Sequence, residues 1–141
     1  MATGGNPRIK GLGEVALRVA DLPSMQAFYE EVVGLELIRA FPGIAFLRIA
    51  EGVEGHTQVV ALFDRSSGSE NAPREGAATT LDHFAFVTTP KELDAEHERL
   101  EGLGLEVETA VHEWTQWRSI YVRDPEGNLV EWVCHDPSIS G

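Results

Sequence analysis

The feature that most restricts this chain is a repeat. A strand, a helix and three further strands are written twice along its 141 residues. In the first copy Val15, Leu17 and Val19 alternate with Glu14, Ala16 and Arg18. That period of two predicts a strand with one apolar face. Asp21 and Pro23 supply a helix start. Met25, Phe28, Tyr29, Val32 and Val33 then fall on one helical stripe, and Gly34 is a stop. Strands are expected at about 35–40, 44–50 and 58–63. In the second copy His83, Ala85 and Val87 alternate with Phe84 and Phe86. Pro90 opens a helix with Leu93, His97, Leu100 and Leu103 on one stripe, and Gly104 stops it. Leu105-Glu106-Val107 echoes Leu35-Glu36-Leu37. Ser119–Arg123 and Leu129–Cys134 read as a closing hairpin. Its turn is Asp124-Pro125-Glu126-Gly127-Asn128, with Pro preset for the bend and Gly free to take positive φ.

The copies keep the same spacing. Glu14 to Ala61 is 47 residues, and His83 to Glu131 is 48. A chance match is weakened by the Gly-Leu-Glu-apolar run that ends both helices. The expected organisation is one α+β domain: a disordered tail over 1–8, a first βαβββ module over 9–65, a linker over 66–79 and a second module over 80–136.

Composition narrows the function. The net charge of −12 opposes binding to a phosphate backbone, so no nucleic-acid partner is expected. No apolar run approaches a membrane span, and the first residues lack a signal-peptide layout. The single cysteine, Cys134, has no partner for an internal disulfide. A cytoplasmic protein with no membrane association is the expectation.

His83 and Glu131 are the chemically informative pair. Each sits on an expected strand, on the face opposite its bulky apolar residues. A carboxylate there needs water, a charge partner or a metal. A half-exposed sheet face with both residues solvated explains the pattern equally well.

LDHFAFV followed by RSIYVRDPEGNLVEWV resembles the second module of the vicinal oxygen chelate superfamily, and EVALRVADLPSMQAFYEEVVGLEL resembles the first. Glyoxalase I, extradiol dioxygenases, fosfomycin-resistance enzymes and metal-free bleomycin-resistance proteins belong to it. The resemblance covers about residues 10–135. It implies two βαβββ modules in a curved mixed sheet around a cavity, a homodimer, and a divalent ion (Fe, Mn, Zn or Ni). Its ligand positions fall on Glu14, Ala61, His83 and Glu131. Ala61 cannot bind metal, so the implied ligand set is Glu14, His83 and Glu131.

With two Glu and one His the ion would be formally neutral, and oxygen-rich ligation suits hard ions such as Mn²⁺ or Fe²⁺. Alanine at 61 speaks against glyoxalase I, whose proton transfer uses a Glu there. The extradiol pattern places a Tyr ten residues before the last Glu and a His nineteen before it, here Tyr121 and His112. Both are expected to be catalytic. The extradiol acid–base His falls near Gln58, with His56 two residues away. Arg18, Ser119, Trp114 and Trp117 are expected to bind substrate, and Arg118 to lie at the cavity rim or pair with a surface acid. The expected function is a metal-dependent dioxygenase or lyase acting on a small oxygen-chelating molecule. The alternative is a metal-free small-molecule binding protein with aromatic walls.

Overall fold

The alternation at Val15, Leu17 and Val19 becomes β1 (Glu14–Val19), and its apolar side faces the first helix. The computed structural model describes residues 5–65 and 81–140. The expected linker, and residues 1–4 of the expected tail, lie outside them. After β1, the Asp21 carboxylate accepts a hydrogen bond from the Ser24 N–H and caps α1 (Leu22–Ala27).

The single helix expected up to Gly34 is not uniform. From Phe28 to Val33 it widens into a π-helix, ending at Gly34 in the left-handed region at φ 89°. A wider turn subtends a smaller angle per residue. The adjacent rings of Phe28 and Tyr29, 5.2 Å apart edge to face, are therefore both buried.

Three strands follow: β2 (Glu36–Phe41), β3 (Ile44–Glu51) and β4 (Thr57–Asp64). The sheet order is β1-β4-β3-β2, with β1 parallel to β4 and the other pairs antiparallel. Ala45, Leu47, Val60 and Leu62 are fully buried on the helix side. The opposite face carries Glu14, Ala16 and Arg18 on β1, Ala61 and Phe63 on β4, and Ile44, Phe46 and Arg48 on β3.

The second copy repeats this order. It comprises β5 (His83–Val87), α2 (Pro90–Gly102), β6 (Glu108–His112), β7 (Trp117–Arg123) and β8 (Leu129–His135), in sheet order β5-β8-β7-β6. The backbone divides into two compact units, Met1–Ala72 and Pro73–Gly141, one for each copy.

Thr89 caps α2 by accepting from the Glu92 N–H, and Pro90 fills the first turn, where its missing N–H costs nothing. Leu93 and Leu100 bury the expected stripe. Leu103 does not join them: the helix ends at Gly102, Leu103 leaves helical geometry, and it is 54% exposed. β6 begins at Glu108, immediately after the Leu105-Glu106-Val107 echo.

Arg118 fastens α2 to its sheet. Its guanidinium donates to Asp94 on α2 at 2.7 Å and to Asp136 beyond β8 at 2.8 Å. It therefore faces the helix side of β7, pairing with acids rather than sitting on the open face.

The β7–β8 turn is organised by a residue that the Pro/Gly reading overlooked. Asp124, nearly buried, accepts from the Glu126 and Asn128 N–H groups at 3.0 and 2.9 Å, and from Asn128 Nδ2 at 2.8 Å. Gly127 takes φ 86°, as the turn requires. No helix among the described residues is long and apolar enough to cross a membrane.

Candidate functional site

Strand register brings four of the expected residues to the open face of the second sheet. Glu131 on β8 lies between Ala85 on β5 and Tyr121 on β7. His83 opens β5 two residues before Ala85, and Ser119 lies two before Tyr121. Parity of two places all four side chains on one side.

The polar atoms meet at short distances. Ser119 Oγ donates to Glu131 Oε2 at 2.6 Å. The other oxygen, Oε1, stands 3.0 Å from His83 Nε2. On the far side of the ring, His83 Nδ1 stands 2.6 Å from Asp82 Oδ2. Ser119 and Glu131 are buried, whereas the His83 side chain is 39% exposed. The Tyr121 ring meets the His83 ring edge to face at 6.2 Å. Burial, and then the negative charge of Glu131, push the Tyr121 phenol above its ordinary value. Its hydroxyl therefore keeps a proton to donate.

Asp82 was not anticipated, although an acid beside a candidate ligand is a readable signal. An ionised Asp82 can only accept, so Nδ1 carries a proton. In a neutral ring Nε2 then presents a lone pair, and Glu131 Oε1 presents another 3.0 Å away. Two acceptors at that distance need a shared cation, either a proton or a metal ion.

The pair suits a metal on three counts. Two ligand atoms about 2.1 Å from one ion and at a right angle stand about 3.0 Å apart. His and Glu are common ligands of divalent ions. A carboxylate on the second ring nitrogen is the usual support of a metal-bound His. Among the described residues, no group of three His, Cys, Asp or Glu could hold a metal ion.

The remaining expected residues lie elsewhere. His112 ends β6 opposite Trp117, four residues along the strand from Glu108, which pairs with Tyr121. Four residues of strand are roughly 13 Å, so His112 stands apart from the Glu131 row. Trp114 is 84% exposed in a turn after β6, and Trp117 is 45% exposed at the start of β7. Their rings lie 6.3 Å apart. Tyr121 also borders a recess of about 170 Å³ with Glu108, Arg123 and Leu129.

In the first unit, Glu14 begins β1 and is exposed, with Arg18 on the same face. Ala61 is the register counterpart of Glu131, since Ala61 pairs with Ala16 and Glu131 with Ala85. Phe41, Phe46 and Phe63 form a run of edge-to-face contacts at 6.3 Å on that open face. His56 and Gln58 line an open groove of about 430 Å³ with Arg8 and Lys10.

Comparison with known proteins agrees with this architecture. The family model of the Glyoxalase/Bleomycin resistance protein/Dioxygenase superfamily matches residues 11–132. Biphenyl-2,3-diol 1,2-dioxygenase 3 of Rhodococcus globerulus is 34% identical over 122 residues. That alignment takes in 85% of this chain and 60% of the relative, so the chain spans under two thirds of that enzyme's length. A lactoylglutathione lyase from Agrobacterium tumefaciens superposes with a TM-score of 0.67 at 33% identity, covering 88% of this chain and 92% of the other. A fosfomycin-resistance protein from Listeria monocytogenes, in complex with Mn(II) and a dihydroxypropylphosphonic acid, superposes with a TM-score of 0.60 at 25% identity, covering 88% and 89%. With two βαβββ units and a family match across nearly its whole length, the chain belongs to the Glyoxalase/Bleomycin resistance protein/Dioxygenase superfamily.

Proposed function

We propose that this protein is a divalent-metal enzyme acting on a small molecule with two adjacent oxygens, in the manner of an extradiol dioxygenase. The observation that carries the reading is the 3.0 Å approach of His83 Nε2 to Glu131 Oε1, each side chain held from behind by Asp82 or Ser119. On the family resemblance, Glu14 on β1 is a further candidate ligand residue. A bound divalent ion would serve as a Lewis acid toward the paired substrate oxygens.

The chain's own residues do the rest. His83 and Glu131 would hold a divalent ion on the open face of the second sheet. Tyr121 keeps its proton and donates a hydrogen bond to a substrate oxygen as charge develops there. Alanine at 61 can neither ligate nor take a proton. Proton-shuttle lyase chemistry based on that position is therefore disfavoured, despite the lyase among the structural relatives. The dioxygenase relative supports a catechol-like substrate.

Metal analysis of protein purified without chelator tests the reading. Bound Mn or Fe that is lost in His83→Ala and reduced in Glu14→Ala is the expected result. No metal at any stoichiometry would sink it. Anaerobic Fe²⁺ loading, followed by catechols and oxygen, tests the reaction, and a yellow ring-opened product is expected.

The Phe41–Phe46–Phe63 run favours a second reading, a metal-free binder of planar aromatic compounds. Binding of a catechol unchanged by chelator would select it.

A further inference from the structure

Ser119 is one of only three polar or charged residues buried among the described residues, with Asp124 and Glu131. Asp124 builds a turn. Ser119 and Glu131 bond to each other at 2.6 Å, and Ser119 is 2% exposed. A hydroxyl this closed off, already spent on a carboxylate, is poorly placed to meet a substrate.

The internal repeat supplies an independent comparison. Glu131 pairs with Tyr121, and its first-unit counterpart Ala61 pairs with Phe46. Two residues before Tyr121 is Ser119, and two before Phe46 is Ile44. The trio Glu131, Ser119 and Tyr121 thus stands where the other unit has Ala61, Ile44 and Phe46. Where the carboxylate is absent, so are the hydroxyl and the phenol. A serine kept for strand packing alone has no reason to accompany the carboxylate.

We propose that Ser119 is a positioning residue. Its hydroxyl occupies Oε2 of Glu131 and leaves Oε1 as the oxygen turned toward His83 Nε2, so that Glu131 would offer a metal ion a single oxygen. This rests on the metal reading above. A carboxylate held at one oxygen leaves more of an ion's coordination sphere open to substrate than a carboxylate bound through both.

The test uses the full chain and Mn(II) alone, with Ser119→Ala and Ser119→Thr. The hydroxyl of Thr preserves the donor, and its extra methyl faces Ala110 and Val133, the cross-strand neighbours of position 119. Mn(II) affinity should fall about 10–100-fold in Ser119→Ala and recover in Ser119→Thr, the range typical of outer-shell partners. The Mn(II) electron paramagnetic resonance spectrum should change in Ser119→Ala alone. Unchanged affinity in Ser119→Ala, with a raised KM for substrate, would overturn the proposal and return Ser119 to substrate binding.

Should wild-type protein bind no Mn(II), the metal reading fails separately. The positioning claim is then read in metal-free protein from the Glu131 carboxyl ¹³C and His83 Nε2 resonances. Both should move in Ser119→Ala and return in Ser119→Thr, and resonances that stay put would overturn it.

Discussion

A carboxylate retained for function should cost the fold stability, and Glu131 offers a direct measure of that cost. Its side chain is 8% exposed; Ser119 and His83 hold it, and the Tyr121 phenol lies beside it. Replacing Glu131 with Leu and Ser119 with Ala removes the charge together with the hydroxyl that would be left unpaired. The losses are one charge-assisted hydrogen bond, about 1.5–3 kcal/mol, and the His83 contact. Because His83 is 39% exposed and screened by water, that contact contributes at most about 1 kcal/mol.

The gains are relief of the carboxylate's desolvation, of order several kcal/mol, and burial of a Leu side chain, about 1.5–3 kcal/mol. Fitting Leu beside Tyr121 and Ala85 takes back roughly 1–3 kcal/mol in strain. The double variant should therefore be more stable than metal-free wild type by about 1–3 kcal/mol. For a chain of this size that raises Tm by roughly 3–10 °C. Differential scanning calorimetry in chelator reads it directly. Adding Mn(II) at about 100 times its Kd should stabilise wild type by about 2.7 kcal/mol and the double variant not at all. A double variant less stable than metal-free wild type would refute the reasoning, because Glu131 would then be an ordinary stabilising part of the core.

Tyr121→Phe removes a hydrogen-bond donor without changing the ring. A contact of about 1.5–3 kcal/mol to developing charge corresponds to a loss of roughly 10–100-fold in kcat/KM. Since the Tyr121 phenol lies above its ordinary value, the wild-type rate should not fall from its ionisation below about pH 10, the ordinary tyrosine value. Asp136 is held down to about 2 by the Ser138 hydroxyl and then by Arg118. A depressed carboxyl stabilises the fold above its ordinary value of 3.8 and loses that contribution as pH falls toward 2. Thermal melts between pH 4 and 2 should therefore be less steep in Asp136→Asn than in wild type. Cys134 is buried, and burial raises its thiol pKa. It should react with a thiol reagent only at the rate of unfolding, which quantitative labelling in native buffer and in denaturant will compare.

The first strand of each unit could be read from sequence because apolar residues recur along it with a period of two. Val15, Leu17 and Val19 alternate cleanly, and so do Phe84 and Phe86. The helices were legible through their caps, Asp21 and Thr89-Pro90, but the π-turn at Phe28–Val33 was not. It brings two neighbouring rings into one core, and that packing shows only in the structure. The Leu105-Glu106-Val107 echo stops short of β6, because Leu105 and Val107 supply alternation without a paired strand. The pairing of His83 with Glu131 was legible through the repeat. The bond from Ser119 to Glu131 was not, because it depends on which oxygen of a side chain faces which neighbour.

The two units carry different residues on the same strand order. Their sheets have the same strand order, and their central rows correspond residue by residue. One row holds Ala85, Glu131 and Tyr121, and the other holds Ala16, Ala61 and Phe46. The second row is apolar throughout, with Phe63 and Ile44 beside it. An apolar row needs no polar partner, whereas a buried carboxylate needs its proton or metal partner and its hydroxyl. Loss of Glu131 alone would leave Ser119 without an acceptor, so the polar set is expected to be gained or lost together. Restoring it in the first unit by Ala61→Glu alone should therefore destabilise the protein. Ala61→Glu combined with Ile44→Ser should recover about 1.5–3 kcal/mol of that loss, the contribution of one charge-assisted hydrogen bond. Equal stability of the two variants in chemical denaturation would show that the serine does not serve the carboxylate.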